Sequence, residues 1–253
     1  MVDFSWRLLP PYFPMPLEPV NTVQPLSVVE AIARQAEVRP DAVALRAVCG
    51  TGIRYRRLQQ ICQRLGQWVA AEGVTEDDIV VLAMPDGPEL AAAFLGVAGV
   101  ARCLVLPPAT GRREVASLFD WLQPRLVLTL AETVATTTAD VAAAWQIPAV
   151  PLSRMTTSPD DCCRPKGVTH LGSESVSKSQ RLPSPDRTAW LAMTSGTTGT
   201  PKLVPLSHAQ LLAATNRVVN AFGLGPSDRS LSIMPLAHAH GLIASLLAPL
   251  VSG

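Results

Sequence analysis

Short apolar runs alternate with longer stretches of helical spacing from Ser27 to Val150, and this alternation limits the folds open to the chain more than any other feature. Two parallel strands cannot be joined by a tight turn; they need a crossover of a dozen or more residues, usually a helix. Ser27 with Glu30 makes a capping box ahead of Val28, Val29, Ile32, Ala33 and Ala36, which predicts a helix to about Val38, stopped by Pro40. A short strand over Ala42–Val48 turns at Gly50-Thr51-Gly52 into Ile53-Arg54-Tyr55. Leu58, Ile61, Cys62, Leu65 and Val69 recur at helical spacing, and Gly73 is placed to end that helix. Strands over Ile79–Ala83, Cys103–Leu106, Leu126–Leu130 and Ile147–Val150 then alternate with helices over Pro88–Val100, Arg113–Leu122 and Thr133–Trp145. The pattern predicts an α/β class of layered, mostly parallel sheets with helices on both faces.

Around this region the pattern changes. Residues 1–26 are proline-rich and without periodicity, so they read as an N-terminal arm ahead of a first α/β subdomain over 27–153. From 154 to 187 prolines, serines and charges replace the periodicity, as in a linker or insertion. A second α/β portion then starts over 188–253: a strand at Thr188–Ala192, a helix from His208 to about Phe222 capped by Ser207, a strand at Ser230–Met234 and an apolar helix from Gly241 to Leu250. The apolar face of residues 242–250 is expected to need cover, from a further C-terminal domain or a partner.

At 48% hydrophobic, 16% charged and a net charge of +1, the chain has the makings of a folded core and lacks the concentrated basic face of a nucleic-acid binder. Its most apolar stretch, Leu90–Leu106, is interrupted by Arg102 and holds Gly96 and Gly99, which argues against a membrane span. The N-terminus lacks the basic start and unbroken apolar centre of a signal peptide. Cys49, Cys62, Cys103, Cys162 and Cys163 are scattered without a CxxC pair, which fits a reducing, cytoplasmic setting. His170 with Cys162 and Cys163 does not match the spacing of common zinc frameworks, and no metal site is expected from them.

Chemistry concentrates in Met193–Lys202, MTSGTTGTPK, directly after the apolar run Thr188–Ala192. Gly196 and Gly199 can take backbone angles closed to other residues, turning their N–H groups toward one anion. Thr194, Ser195, Thr197 and Thr198 add hydroxyl donors, and Lys202 adds a mobile positive charge. The same residues would suit a plain flexible turn; the donor density, the lysine and the strand in front favour a phosphate cradle. The lysine follows Pro201 and precedes Leu203, so the Walker pattern of P-loop kinases and GTPases is not met.

This segment resembles the phosphate-binding signature of the AMP-forming adenylating superfamily, which includes acyl-CoA synthetases, fatty acyl-AMP ligases, luciferases and peptide-synthetase adenylation domains. Pro235–Leu242, PLAHAHGL, resembles that family's proline, aromatic, histidine and glycine element, with Ala237 where many members carry an aromatic. Arg54–Leu58 and Leu95–Pro107 resemble its early structural elements more loosely. The resemblance leans toward the acyl-CoA synthetase branch, oxalate-type ligases included.

The resemblance implies ATP-dependent activation of a small-molecule carboxylic acid as acyl-AMP, then thioester formation with coenzyme A or a phosphopantetheine thiol. It implies ATP and Mg²⁺ as requirements. It places Thr194, Ser195, Gly196, Thr197, Thr198, Gly199 and Lys202 on the β- and γ-phosphates, puts His238 at the acyl-transfer centre near the carboxylate and α-phosphate, and makes Lys202 and His238 the catalytic residues. His240 is read as packing or pocket wall, and His208 and His170 as solvent-facing or helix-capping. The family's adenine-stacking, ribose-binding, hinge and C-terminal lysine elements have no counterpart in the sequence. Two readings therefore stay open: a fragment of an AMP-forming acid–thiol ligase, or a catalytically incompetent protein serving as a nucleotide-binding or scaffold module.

Overall fold

The computed structural model describes residues 27–47, 52–131, 137–153, 182–194 and 202–253. The N-terminal arm, the turn at Gly50-Thr51, the start of the helix predicted at Thr133, most of the 154–187 segment and the loop 195–201 lie outside the described residues. Helix α1 (Val28–Val38) begins where Ser27 Oγ accepts from Glu30 N at 3.1 Å, and the Glu30 carboxylate takes Arg34 one turn on at 2.7 Å. Strands β1 (Val43–Leu45) and β2 (Ile53–Arg54) form a small antiparallel hairpin that leads into α2 (Tyr55–Ala71). Past that helix Gly73 takes a left-handed φ of 75°, which a side chain would resist.

The alternation then runs β3 (Ile79–Ala83), α3 (Pro88–Ala98), β4 (Arg102–Val105), α4 (Arg112–Leu122), β5 (Leu126–Leu130), α5 (Thr137–Ala144) and β6 (Ala149–Leu152). It continues with β7 (Thr188–Thr194), β8 (Lys202–Ser207), α6 (His208–Phe222), a π-helix over His240–Leu247 and α7 (Ala248–Ser252). Six strands form one sheet in the order β6-β5-β3-β4-β7-β8, parallel throughout except for the antiparallel β7–β8 pair. The strand from Thr188 thus lies beside β4 in the sheet laid down by residues 79–152.

Period-two alternation sorts side chains to two cores. Val80, Leu82, Cys103, Val105, Leu126 and Leu128 face the larger core, which α1, α2, α3, α6, the π-helix and α7 cover. Val81, Ala83, Leu104, Leu106 and Val127 face the smaller one, under α4 and α5. Helices on both faces agree with the alternation read in the sequence.

Three expectations change. Strand β8 was not foreseen: Pro205 interrupts its pattern, and a proline lacking an N–H is tolerated here because β8 is an edge strand. Residues 230–234, expected as a strand, have no regular structure; Leu231 and Ile233 are 75% and 79% exposed, and no strand among the described residues pairs with them. The 242–250 segment, expected to need a partner, is covered by its own chain: Leu242, Leu246, Leu247, Ala248 and Leu250 are buried. Tyr55 Oη donates to Leu250 O at 3.0 Å and Gln35 Nε2 to Val251 O at 2.7 Å, so α1 and α2 hold its end.

Candidate functional site

In an open α/β sheet, ligands bind outside the carboxyl ends of the strands, where neighbouring connections leave to opposite faces. Here that point lies beside β3: the chain leaves β3 for α3 on the larger-core face, whereas it leaves the flanking strands β4 and β5 for α4 and α5 on the other. Strand β7 is next beyond β4, so its carboxyl end lies on the same edge, about 10 Å from that of β3 by strand spacing. Thr194 ends β7 and Lys202 begins β8. They are cross-strand partners, and Thr194 Oγ1 donates to Lys202 O at 3.2 Å. Both are exposed. Ser195, Gly196, Thr197, Thr198 and Gly199 lie outside the described residues; their loop starts and ends on this strand pair.

His238 reaches the same edge by another route. Leu236 N donates to Asp86 Oδ1 at 2.7 Å, and Asp86 sits just after β3. Leu236 and Ala237 are buried, while His238 and His240 are exposed. The turn closes when His238 N donates to Pro235 O at 3.0 Å, and Leu242 N to His238 O at 2.9 Å opens the helix. At Gly241 an added Cβ would lie 2.1 Å from Pro235 O, so glycine alone permits this close approach. The following residues wind as a π-helix, a rare form often found at functional sites. Sequence reasoning missed Asp86, which bears no motif; its signal is a charged residue just after a buried strand in an open α/β sheet.

The base of the β7–β8 hairpin carries a second cluster. Arg187, immediately before β7, donates to Val100 O at 3.0 Å and to Ala98 O, capping the carbonyl end of α3. His208 N donates to Arg187 O at 3.1 Å, and the His208 ring Nε2 lies 3.1 Å from Ala98 O. His208 is fully buried, which corrects the expectation of a solvent-facing or capping histidine: Ser207 fills the cap, and the ring turns inward. A carbonyl only accepts, so Nε2 holds the ring proton and the buried Nδ1 has no hydrogen-bond partner. Burial first, and then the Arg187 guanidinium, lower the His208 pKa from 6.5 to about 4, against a smaller opposing effect of the Ala98 carbonyl. Burial likewise pushes the Cys103 thiol far up, partly offset by Arg187. Neither residue stood out in the sequence, because a lone arginine before a strand and a histidine after a serine cap are ordinary surface patterns.

An apolar pocket of about 80 Å³ lies among α1, α2 and α3, lined by Val29, Ile32, Cys62, Leu95 and Pro183 among others. None of the predicted site residues lines it. Among the described residues no group of three or more His, Cys, Asp or Glu could hold a metal ion, and no helix is long and apolar enough to cross a membrane.

Fold and topology together define a doubly wound α/β protein with Thr194, Lys202 and the His238 turn at the edge formed by the carboxyl ends of β3, β4 and β7. More narrowly, the chain belongs to the AMP-binding enzyme family, whose model matches residues 32–253. It is 34% identical over 193 residues to a sulfoacetate–CoA ligase of Cupriavidus necator, covering 75% of this chain and 36% of that protein. It is 27% identical over 230 residues to a dimodular nonribosomal peptide synthase of Bacillus subtilis, covering 90% of this chain and 9% of that one. Among solved structures it resembles ATP-bound MatB from Rhodopseudomonas palustris, with a TM-score of 0.75 at 21% identity over 90% of this chain and 44% of that one. The matched region covers less than half the length of each of these proteins.

Proposed function

We propose that this chain supplies the phosphate-gripping and acyl-facing parts of an enzyme that activates a carboxylic acid with ATP and passes the acyl group to a thiol. The single observation that carries the reading is the β7–β8 hairpin: it fixes Thr194 and Lys202 as cross-strand partners at the ligand edge, at the two ends of the MTSGTTGTPK loop. Membership of the AMP-binding enzyme family and the likeness to a CoA ligase support it.

In this reading an oxygen of the substrate carboxylate attacks the α-phosphorus of ATP, a C–O–P bond forms, and pyrophosphate leaves. The Lys202 ammonium and the hydroxyls of Thr194, Ser195, Thr197 and Thr198 neutralise charge on the departing β- and γ-phosphates, with the amides of Gly196 and Gly199. His238, on the turn beside Asp86, presents imidazole hydrogen-bonding groups to the carboxylate and α-phosphate. A thiolate of coenzyme A or phosphopantetheine then attacks the acyl carbon, and AMP leaves. Mg²⁺ would add charge to the triphosphate; the described side chains offer it no ligand cluster, so no step here runs through it. The buried free thiols of Cys62 and Cys103 fit a reducing compartment, and we place the protein in the cytoplasm.

The test is acid-dependent exchange of labelled pyrophosphate into ATP by the purified chain, beside Lys202→Ala and His238→Ala. The reading expects each variant to lose a hundredfold or more, as for removal of a group that stabilises transition-state charge. Equal rates in all three would remove the site assignment. No exchange by the parent chain would favour the second reading, a nucleotide-binding or scaffold module.

A further inference from the structure

Among the described residues, no strand pairs with the segment that leads into the turn carrying His238. The residues before it, 230–233, are exposed and irregular, and the Ser230 and Ser232 hydroxyls donate to Ser245 O and Met234 O at 3.4 Å. Burial of Leu236 and Ala237 fixes the depth of the turn but not its direction, because apolar contact is non-directional. Its internal bonds, His238 N to Pro235 O and Leu242 N to His238 O, set its shape but not its place against the sheet. Among the described residues, the hydrogen bond that crosses from this turn to the sheet edge runs from Leu236 N to Asp86 Oδ1, at 2.7 Å.

We infer that Asp86 is a positioning residue: its carboxylate, anchored at the carboxyl end of β3 where the sheet's connections divide, holds the Pro235–Gly241 turn and so aims His238 at the ligand edge. The placement is economical in sequence. Buried Met84 ends the run of β3, and Pro88 begins α3, so Asp86 is confined between two fixed elements. A carboxylate accepting from a backbone N–H makes a short, charge-assisted bond with a defined direction, which the apolar contacts lack. On the turn side, Gly241 packs against the Pro235 carbonyl, so a shift of Leu236 carries the whole turn with it. The inference that the aimed group serves catalysis rests on the role proposed for His238; the tether itself does not.

Two measurements separate those dependences. Amide hydrogen exchange of Leu236 in the full chain reads the tether without any activity. Asp86→Ala is expected to speed exchange of that amide at least tenfold while amides of α1 and α2 keep their rates, and Asp86→Asn, which retains an acceptor oxygen, is expected to restore most of the protection. Unchanged Leu236 exchange in Asp86→Ala overturns the tether. Pyrophosphate exchange then reads the purpose: if Asp86 acts through His238, Asp86→Ala lowers the rate at least tenfold, and Asp86→Ala/His238→Ala is no slower than His238→Ala alone. Multiplying losses in the double variant would show that Asp86 does not work through His238. Should His238→Ala itself keep full rate, the functional reading of His238 fails while the exchange result still decides the tether.

Discussion

Acid should weaken this fold through one buried ring. In the unfolded chain the His208 imidazole takes a proton near pH 6.5; in the folded chain it does so only near pH 4. Between those values the unfolded state binds more protons than the folded one, so stability falls as the pH drops through that window and, for this group, changes no further below it. The structure supplies the cause: a second ring proton, on Nδ1, would be buried without an acceptor and would face the Arg187 guanidinium across the α3 carbonyls. A displacement of one pH unit is worth about 1.4 kcal/mol. The full window therefore amounts to roughly 3 kcal/mol, of which about 2 kcal/mol is already lost at pH 5. His208→Gln is the informative variant, since its amide can donate to Ala98 O and does not titrate. Urea unfolding of both proteins at pH 7 and pH 5 should show the parent losing about 2 kcal/mol more than the variant between the two. The exposed His238 and His240 and all carboxylates are common to both proteins and cancel in the comparison. Equal losses within about 0.5 kcal/mol would mean that His208 titrates in the folded chain much as it does unfolded, and the proposed cost of charging it would be refuted.

Further perturbations address the same construction. Tyr55→Phe removes the bond from Tyr55 Oη to Leu250 O and leaves a buried carbonyl unpaired, which should cost about 1–2 kcal/mol in urea unfolding and abolish the tyrosine titration that burial pushes up to about 12. Gly241→Ala sets a methyl 2.1 Å from Pro235 O; we expect a loss of about 2–3 kcal/mol, read as a fall of about 5–10 °C in Tm, and an unchanged Tm would mean that the turn can open freely.

Much of the architecture could be read in advance because local signals agreed with one another. Ser27 and Ser207 cap the helices they precede, Gly73 ends α2 in a left-handed conformation, and Pro88 opens α3. Strands buried on both faces, such as Leu126–Leu130, leave an unmistakable apolar run. What escaped was relational. Pro205 hid β8, because a sequence does not say which strand will lie at an edge. Leu231 and Ile233 suggested a strand, yet alternation cannot reveal whether a neighbour is there to pair with. The helix from Gly241 looked uncovered because its cover, α1 and Tyr55, lies nearly the length of the chain away. At the site, glycine, hydroxyl and lysine residues announced themselves by type and crowding. Asp86, Arg187 and His208 gave no such sign; each matters for the backbone group it meets, and that meeting exists only in three dimensions.

The junction between β4 and β7 combines a short backbone pairing with side chains buried in shared cores. Cys103 and Trp190 are the one registered pair there, whereas β7 and β8 are matched over nearly their full length. The hairpin is thus paired along its length, packed into both cores through β7, and pinned at its base by Arg187 and His208 on the end of α3. A displacement of Thr194 or Lys202 is therefore passed along a continuous set of paired residues to Arg187 and His208 at its base. The phosphate contact proposed for Thr194 and Lys202 and the proton balance of the His208 ring would thus be borne at the two ends of one ladder.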